Sequence, residues 1–254
     1  MAISSSPSIG SNSNLVDVLE SVPPSQGPVG TAVSSVATEQ KGPKIFVAVA
    51  GNIGTGKTTL TGLLSKKYGW HPHFEVVVEN PYLADFYDNM ARWSFPIQIF
   101  FLNSRFKAHQ KINFSASSAI QDRSIYEDAN IFARNLFESG FMEKRDYFNY
   151  LDLYEEMCNH LTPPDLLIYL RKSLPKLKGN ISLRGRDYEA NISDSYLTNL
   201  NRYYDEWIEK YSQGKVLVID SDDKDFLNRP ADFDAVGKAI FDQLDQKEMF
   251  LADR

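Results

Sequence analysis

The chain has 254 residues and a formal net charge of -6, with 43% hydrophobic and 24% charged residues, the balance of an ordinary globular protein. The acidic excess supplies no basic field for a polyanion, which argues against a general nucleic-acid binder while leaving room for a local phosphate site. One cysteine, Cys158, excludes an intrachain disulfide and argues against a cysteine-based zinc site, and no apolar run reaches the roughly 18 residues that a membrane span needs.

Residues 1–42 are rich in Ser, Pro and Gly and hold no aromatic residue. Such a segment buries too little apolar surface to offset its ordering entropy, so a disordered tail is expected, with a helical turn at Leu15–Leu19. It has no Arg and carries Asp17, Glu20 and Glu39, unlike a mitochondrial presequence. It also lacks a secretory signal's charged start and apolar core, so a cytoplasmic location is expected. Residues 43–254 read as one domain.

In that body, the short apolar runs KIFVAVA (44–50), FEVVVE (74–79), SAIQD (118–122), DLLIYL (165–170) and KVLVID (215–220) read as buried strands. Amphipathic stretches between them predict helices at Lys57–Tyr68, at Leu83–Lys111 as one or two long helices with a break or kink at Pro96, and at Ile125–Phe137, Asp146–Leu161, Ser195–Tyr211 and Ala231–Leu244. Strands alternating with helices predict an α/β fold, a five-stranded parallel sheet covered on both faces. Lys172–Asp187 is basic and poor in apolar residues, and is expected to be a mobile loop or lid.

Gly51-Asn52-Ile53-Gly54-Thr55-Gly56-Lys57-Thr58 fits the phosphate-loop pattern G-x-x-x-x-G-K-[ST], and Thr59 continues it into a helix. A strand leads straight in, which is the confirming context. Glycines allow successive N–H groups to point inward as an anion cradle at a helix N-terminus. Lys57 would neutralise the β and γ phosphates, and Thr58 would ligate Mg2+. The loop alone does not fix the reaction. A GTPase would need N-K-x-D, which is absent, and the D-x-x-G of Asp234 to Gly237 lies in the last expected helix.

Three clusters bear on the phosphoryl acceptor. Glu79 ends the second strand run, where a carboxylate can take a proton from a hydroxyl. Asp122-Arg123-Ser124 ends the third, placing an acid for Mg2+ beside a cation for the transferring oxygens. Lys176, Lys178, Arg184 and Arg186 form a cationic lid segment.

Together with Glu79-Asn80-Pro81, Arg92-Trp93-Ser94-Phe95 and Arg184-Gly185-Arg186, these motifs resemble the deoxyribonucleoside kinase family, from about Lys44 to about Phe226. ENPYLADFY and DRSIYEDANIFA look most like its bacterial-type deoxyadenosine and deoxyguanosine kinases. The resemblance implies ATP-dependent, Mg2+-assisted phosphorylation of a deoxyribonucleoside 5′-hydroxyl, with deoxyadenosine preferred and deoxyguanosine or deoxycytidine as alternatives. It implies Glu79 as general base, Arg123 at the hydroxyl and the moving phosphoryl group, and Tyr87 with Glu189 at the 3′-hydroxyl. Gln98, with Arg105 and Asp128, would hold the base, between Trp93, Phe95 and Phe132. Thr58 and Asp122 would serve the metal, and Arg184, Arg186, Asp225 and Phe226 the ATP. Asn180 stands where vertebrate members carry Arg, with Lys178 expected to substitute. A homodimer through Phe86–Ile112 and Ile125–Phe137 is implied, with no nucleic-acid or membrane partner. The rivals are a nucleoside monophosphate kinase and a non-catalytic nucleotide-binding module.

Overall fold

The computed structural model describes residues 43–75, 80–189 and 192–244. The expectations for the 1–42 tail, and for the 76–79 part of the second strand run, lie outside them.

Five strands form one sheet in the order β2-β3-β1-β4-β5, every neighbouring pair parallel. They are β1 (Phe46–Gly51), β2 (His71–His73), β3 (Ala119–Asp122), β4 (Leu166–Arg171) and β5 (Lys215–Asp220). The central strands β1 and β3 are wholly buried, as apolar strands flanked by helices must be. The period-2 alternation divides the core. Ala48, Ala50, Leu167 and Tyr169 face one cluster, and Val47, Val49, Leu166, Ile168 and Leu170 the other.

The second cluster is closed by α1 (Lys57–Tyr68) and α9 (Pro230–Leu244), through Leu60, Leu64, Val236 and Ile240. The first is closed largely by α3 (Met90–Phe114), α6 (Lys144–Cys158) and α8 (Asp194–Lys210), whose Ile97, Leu102, Tyr150, Leu200 and Tyr204 are buried there. Each such Leu or Ile withdrawn from water contributes about 1.5–3 kcal/mol.

Four elements depart from the sequence expectations. β2 covers His71–His73, before the valine run, and Phe74 and Glu75 continue it without strand structure. Its edge position tolerates Pro72. The long second helix breaks at Asn89, between α2 (Leu83–Asp88) and α3, and not at Pro96. The Asn89 side chain accepts from the Arg92 N–H at 3.1 Å and starts a new helix. The third expected helix is composite: α4 (Ile125–Glu127), a π-helical turn (Asp128–Ala133) and α5 (Arg134–Glu138). There the Asn130 amide donates to the Tyr126 carbonyl at 2.7 Å, satisfying an oxygen that the widened turn would otherwise release.

Finally, Leu174–Arg184 is a helix, α7, rather than a loop. Pro175 suits its first turn, Gly185 ends it in a left-handed conformation, and Leu177 and Ile181 bury one face.

Candidate active site

The carboxyl ends of β1 and β3 lie side by side, since Val49 pairs with Asp122. Ligand sites in open parallel sheets form beyond such ends. The loop after β1 wraps tightly. Gly51 and Gly54 have φ of 150° and 83°. A Cβ at Gly51 would lie 2.8 Å from the Leu170 carbonyl oxygen, and one at Gly54 2.9 Å from that of Leu177. Both positions therefore require glycine. The Asn180 side chain of α7 donates to the Gly54 carbonyl at 2.7 Å, joining the basic segment to the loop. Asn52 turns its amide away, toward the Leu197 carbonyl (2.9 Å) and Asn201 (2.7 Å) on α8. Its own carbonyl accepts from Lys57 Nζ at 2.8 Å. Burial, with Arg123 near, lowers the Lys57 ammonium to about 8.

Two chambers meet at this loop. One is lined by Glu75, Tyr87, Gln98, Arg105, Arg123 and Glu189, with Ile53 and Asp122. The other runs over Gly54–Thr59 and is lined by Lys176, Asn180, Asp225 and Phe226. Gly54, Lys57, Thr58, Arg184 and Arg186 border both.

In the first chamber an acid sits among cations. Glu75 pairs with Arg105 and, at 3.3 Å, with Arg123. Burial raises its carboxyl, but Arg123, Arg105 and Lys57 outweigh burial and bring it down to about 2. Arg123 is 4% exposed. Its guanidinium lies over the Phe132 ring at 4.5 Å and donates to the Tyr204 hydroxyl at 2.8 Å. Glu79, expected as the base, lies outside the described residues. Glu75 is the chamber-lining carboxylate that pairs with both Arg105 and Arg123, and the sequence reading missed it.

Gln98, Phe101 and Arg105 follow one another at helical spacing and share the chamber-facing stripe of α3. Asp128 does not line the chamber. It lies fully buried behind Arg105 and bonds its guanidinium, and burial raises its carboxyl to about 6 despite that arginine. Gln98 Oε1 and Asp128 Oδ2 have no partner among the described residues.

Trp93 and Phe95 pack against the main core and do not line the chamber. Trp93 is about 140° round α3 from Gln98. Phe132 does line it, with Phe86 and Phe101, which the sequence reading passed over. Tyr87 stacks on Tyr188 with centroids 6.0 Å apart. Glu189 is held by Arg184 and, at 3.4 Å, by Arg186, so the cationic segment and the chamber floor are bonded to each other.

Thr58 Oγ1 donates to Asp122 Oδ2 at 2.5 Å, and Asp122 Oδ1 is buried without a partner among the described residues. Burial pushes this carboxyl up. Hard oxygen donors with an unused lone pair suit Mg2+, which takes few protein ligands and keeps phosphate or water for the rest. Among the described residues no group of three or more His, Cys, Asp or Glu could hold a metal alone.

Lys176 reaches the second chamber, but Lys178 does not: it pairs with Asp194 at 2.7 Å, on the other side of α7. Lys178 therefore does not substitute at the Asn180 position. Asp234, of the D-x-x-G in α9, pairs with Lys67 at 2.6 Å.

Comparison with known proteins identifies the family. The chain is 42% identical over 187 residues to a deoxyadenosine/deoxycytidine kinase of Bacillus subtilis (strain 168), covering 72% of this chain and 85% of that one. It is 42% identical over 167 residues to a deoxyadenosine kinase of Dictyostelium discoideum, covering 66% and 68%. The structure of deoxyadenosine kinase from M. mycoides with bound dATP superposes with a TM-score of 0.69 at 28% identity, over 77% of this chain and 98% of that one. The family profile described as deoxynucleoside kinase matches residues 47–244, and the chain belongs to that family.

Proposed function

We propose that this kinase transfers the γ-phosphoryl group of ATP to the 5′-hydroxyl of a purine deoxyribonucleoside, with deoxyadenosine preferred. The observation that carries the reading is the shared wall of the two chambers. Lys57, Thr58, Arg184 and Arg186 border both, so a triphosphate on the loop and a hydroxyl in the first chamber meet there. Holding both reactants in line supplies much of the acceleration in phosphoryl transfer.

Glu75 is the base in this reading. Its carboxylate, ionised across the neutral range, accepts the hydroxyl proton as the oxygen's electron pair forms the bond to phosphorus. The bond from phosphorus to the β-phosphate oxygen breaks, and ADP leaves. Lys57 and Arg123 meet the charge on the transferring oxygens, with Arg184 at the end of α7 and Arg186 just beyond it adding to them. Tyr87 and Glu189 hold the sugar 3′-hydroxyl, and Asp225 and Phe226 flank the donor nucleotide. Thr58 and Asp122 would hold Mg2+, which would supply neutralisation of phosphate charge.

Gln98 Oε1, without a partner among the described residues, supports a base bearing an exocyclic amine, because an amide can accept from and donate to adenine together. We extend the reading, on family resemblance, to a cytoplasmic homodimer.

The test is phosphate transfer from labelled ATP with Mg2+ to each of the four deoxynucleosides and to dAMP. Deoxyadenosine should give the highest kcat/KM. A preference for thymidine overturns the pocket reading, and a preference for dAMP makes the chain a monophosphate kinase. ATP binding without any product makes it a non-catalytic module.

A further inference from the structure

We infer that Glu127 and Tyr204 are positioning residues that lock Arg123 in register with the phosphate loop. Arg123 is the one non-glycine residue with positive φ among the described residues, at 67°. That conformation is unfavourable for a residue with a Cβ and persists only where its surroundings impose it.

Glu127 is 0% exposed and bonds to Ser124, the residue that follows Arg123 in that turn. Its Oε1 accepts from the Ser124 N–H at 2.7 Å and from the Ser124 hydroxyl at 3.3 Å. These contacts form an ordinary capping box at the start of α4. The other oxygen is not accounted for by capping. Oε2 accepts from the Tyr204 hydroxyl at 2.6 Å and from the Gly51 N–H at 3.4 Å, and lies 3.6 Å from Arg123 Nη1. Gly51 opens the phosphate loop.

Tyr204 completes the arrangement. Its hydroxyl donates to Glu127 and accepts from Arg123 Nη1 at 2.8 Å. Its ring stacks on Tyr169 of β4 at 5.5 Å, nearly parallel. A single buried carboxylate thus connects the strained arginine, a hydroxyl on α8 and the backbone N–H of Gly51, where β1 runs into the phosphate loop. The guanidinium is fixed relative to the phosphates before any ligand arrives, the preorganisation that electrostatic catalysis requires. Neither residue lines the chamber, so both act through Arg123.

This inference rests on the role of Arg123 proposed above, and the test separates the two. Tyr204→Phe keeps the stacked ring and removes only the hydroxyl. Glu127→Gln keeps a cap acceptor but replaces the charged oxygen facing Arg123. Steady-state kinetics with deoxyadenosine and MgATP would be measured on both, on Arg123→Ala, and on Arg123→Ala/Tyr204→Phe, with active-site concentration fixed by titration.

Tyr204→Phe should lower kcat about tenfold while KM for deoxyadenosine moves less than about threefold. In the Arg123→Ala background the same change should cost nothing further, because the group it positions is gone. If Glu127→Gln does not fold, Tyr204→Phe and the double variant still decide. Wild-type kcat in Tyr204→Phe, or a full further loss on top of Arg123→Ala, overturns the positioning role. Wild-type kcat in Arg123→Ala overturns the role of Arg123 itself.

Discussion

Glu75 and Arg123 form an ion pair at 3.3 Å on the chamber side of the phosphate loop. Arg105 pairs with the same carboxylate, so a nucleoside entering this chamber meets a carboxylate already held by two guanidinium groups. Glu75→Gln keeps the shape and removes the basicity. It should lower kcat by about 10²–10⁴, the usual range for a lost general base, while the dissociation constant for deoxyadenosine changes only a few-fold. Glu79→Gln is the matching control and should leave kcat within about threefold of wild type on the same scale of effects. Stopped turnover in Glu79→Gln with normal turnover in Glu75→Gln would return the base role to Glu79.

That pair also shows what the sequence could and could not reveal. The expectation is a carboxylate just past the end of the second strand, and the described strand begins at His71, three residues before the run read as a strand. The run Val76-Val77-Val78 has the β-branched signature of a strand, whereas His71-Pro72-His73 has none, because a three-residue edge strand needs little burial. With β2 ending at His73, the acid beyond its end is Glu75. The phosphate loop and its flanking strand and helix were legible because their signals are local: an apolar run, then glycines where no Cβ fits. Gln98 and Arg105 were legible as polar residues on one stripe of an apolar helix. Glu127 and Tyr204 were not, since each reads as an ordinary helix residue until the fold brings α4 and α8 together. The helix at 174–184 was hidden because only Leu177 and Ile181 mark its buried face.

Thr58 and Asp122 give a second test. With Oδ2 bonded to the threonine hydroxyl and Oδ1 without a partner among the described residues, Asp122 offers one oxygen toward a cation. Asp122→Asn removes the charge and keeps the size. The Mg2+ concentration giving half-maximal activity at saturating ATP should rise about tenfold or more, the scale seen when a metal site loses one supporting group. Thr58→Ala should move it in the same direction. An unchanged Mg2+ titration in both would separate these residues from the metal.

Lys57 makes donor binding depend on pH. Burial, with Arg123 beside it, brings its ammonium down to about 8, so in the free enzyme it is charged below that pH and neutral above it. Only the charged form attracts the β and γ phosphates. The dissociation constant for MgATP should be flat from pH 6.5 to 7.5 and then rise toward about tenfold per pH unit, the limit for loss of one required proton. Lys57→Arg holds its charge throughout this range and should bind MgATP with no such rise. Isothermal titration from pH 6.5 to 9.5 on both proteins reads the difference.

His109 makes stability depend on pH in the opposite part of the range. The ring is wholly buried, packed edge-on against Phe46 at 4.9 Å and Tyr126 at 5.9 Å. Its Nε2 lies 2.8 Å from the Thr162 carbonyl oxygen, so the neutral ring carries its proton there and donates it; Nδ1 has no partner among the described residues. Burial lowers this imidazole to about 4, against an ordinary value of 6.5. An unfolded chain therefore binds the proton at higher pH than the folded one. The contribution of the neutral ring is complete above about pH 6.5 and is lost as pH falls toward about 4, by at most about 3 kcal/mol. Carboxylates such as Glu75 also weaken the fold in acid, so the informative quantity is a difference between proteins. His109→Gln should be less stable than wild type at pH 7.5, having lost ring packing, yet should lose less stability between pH 6.5 and 4.5. Urea unfolding of both proteins at those pH values measures it, and parallel losses would show that His109 does not titrate between the folded and unfolded states.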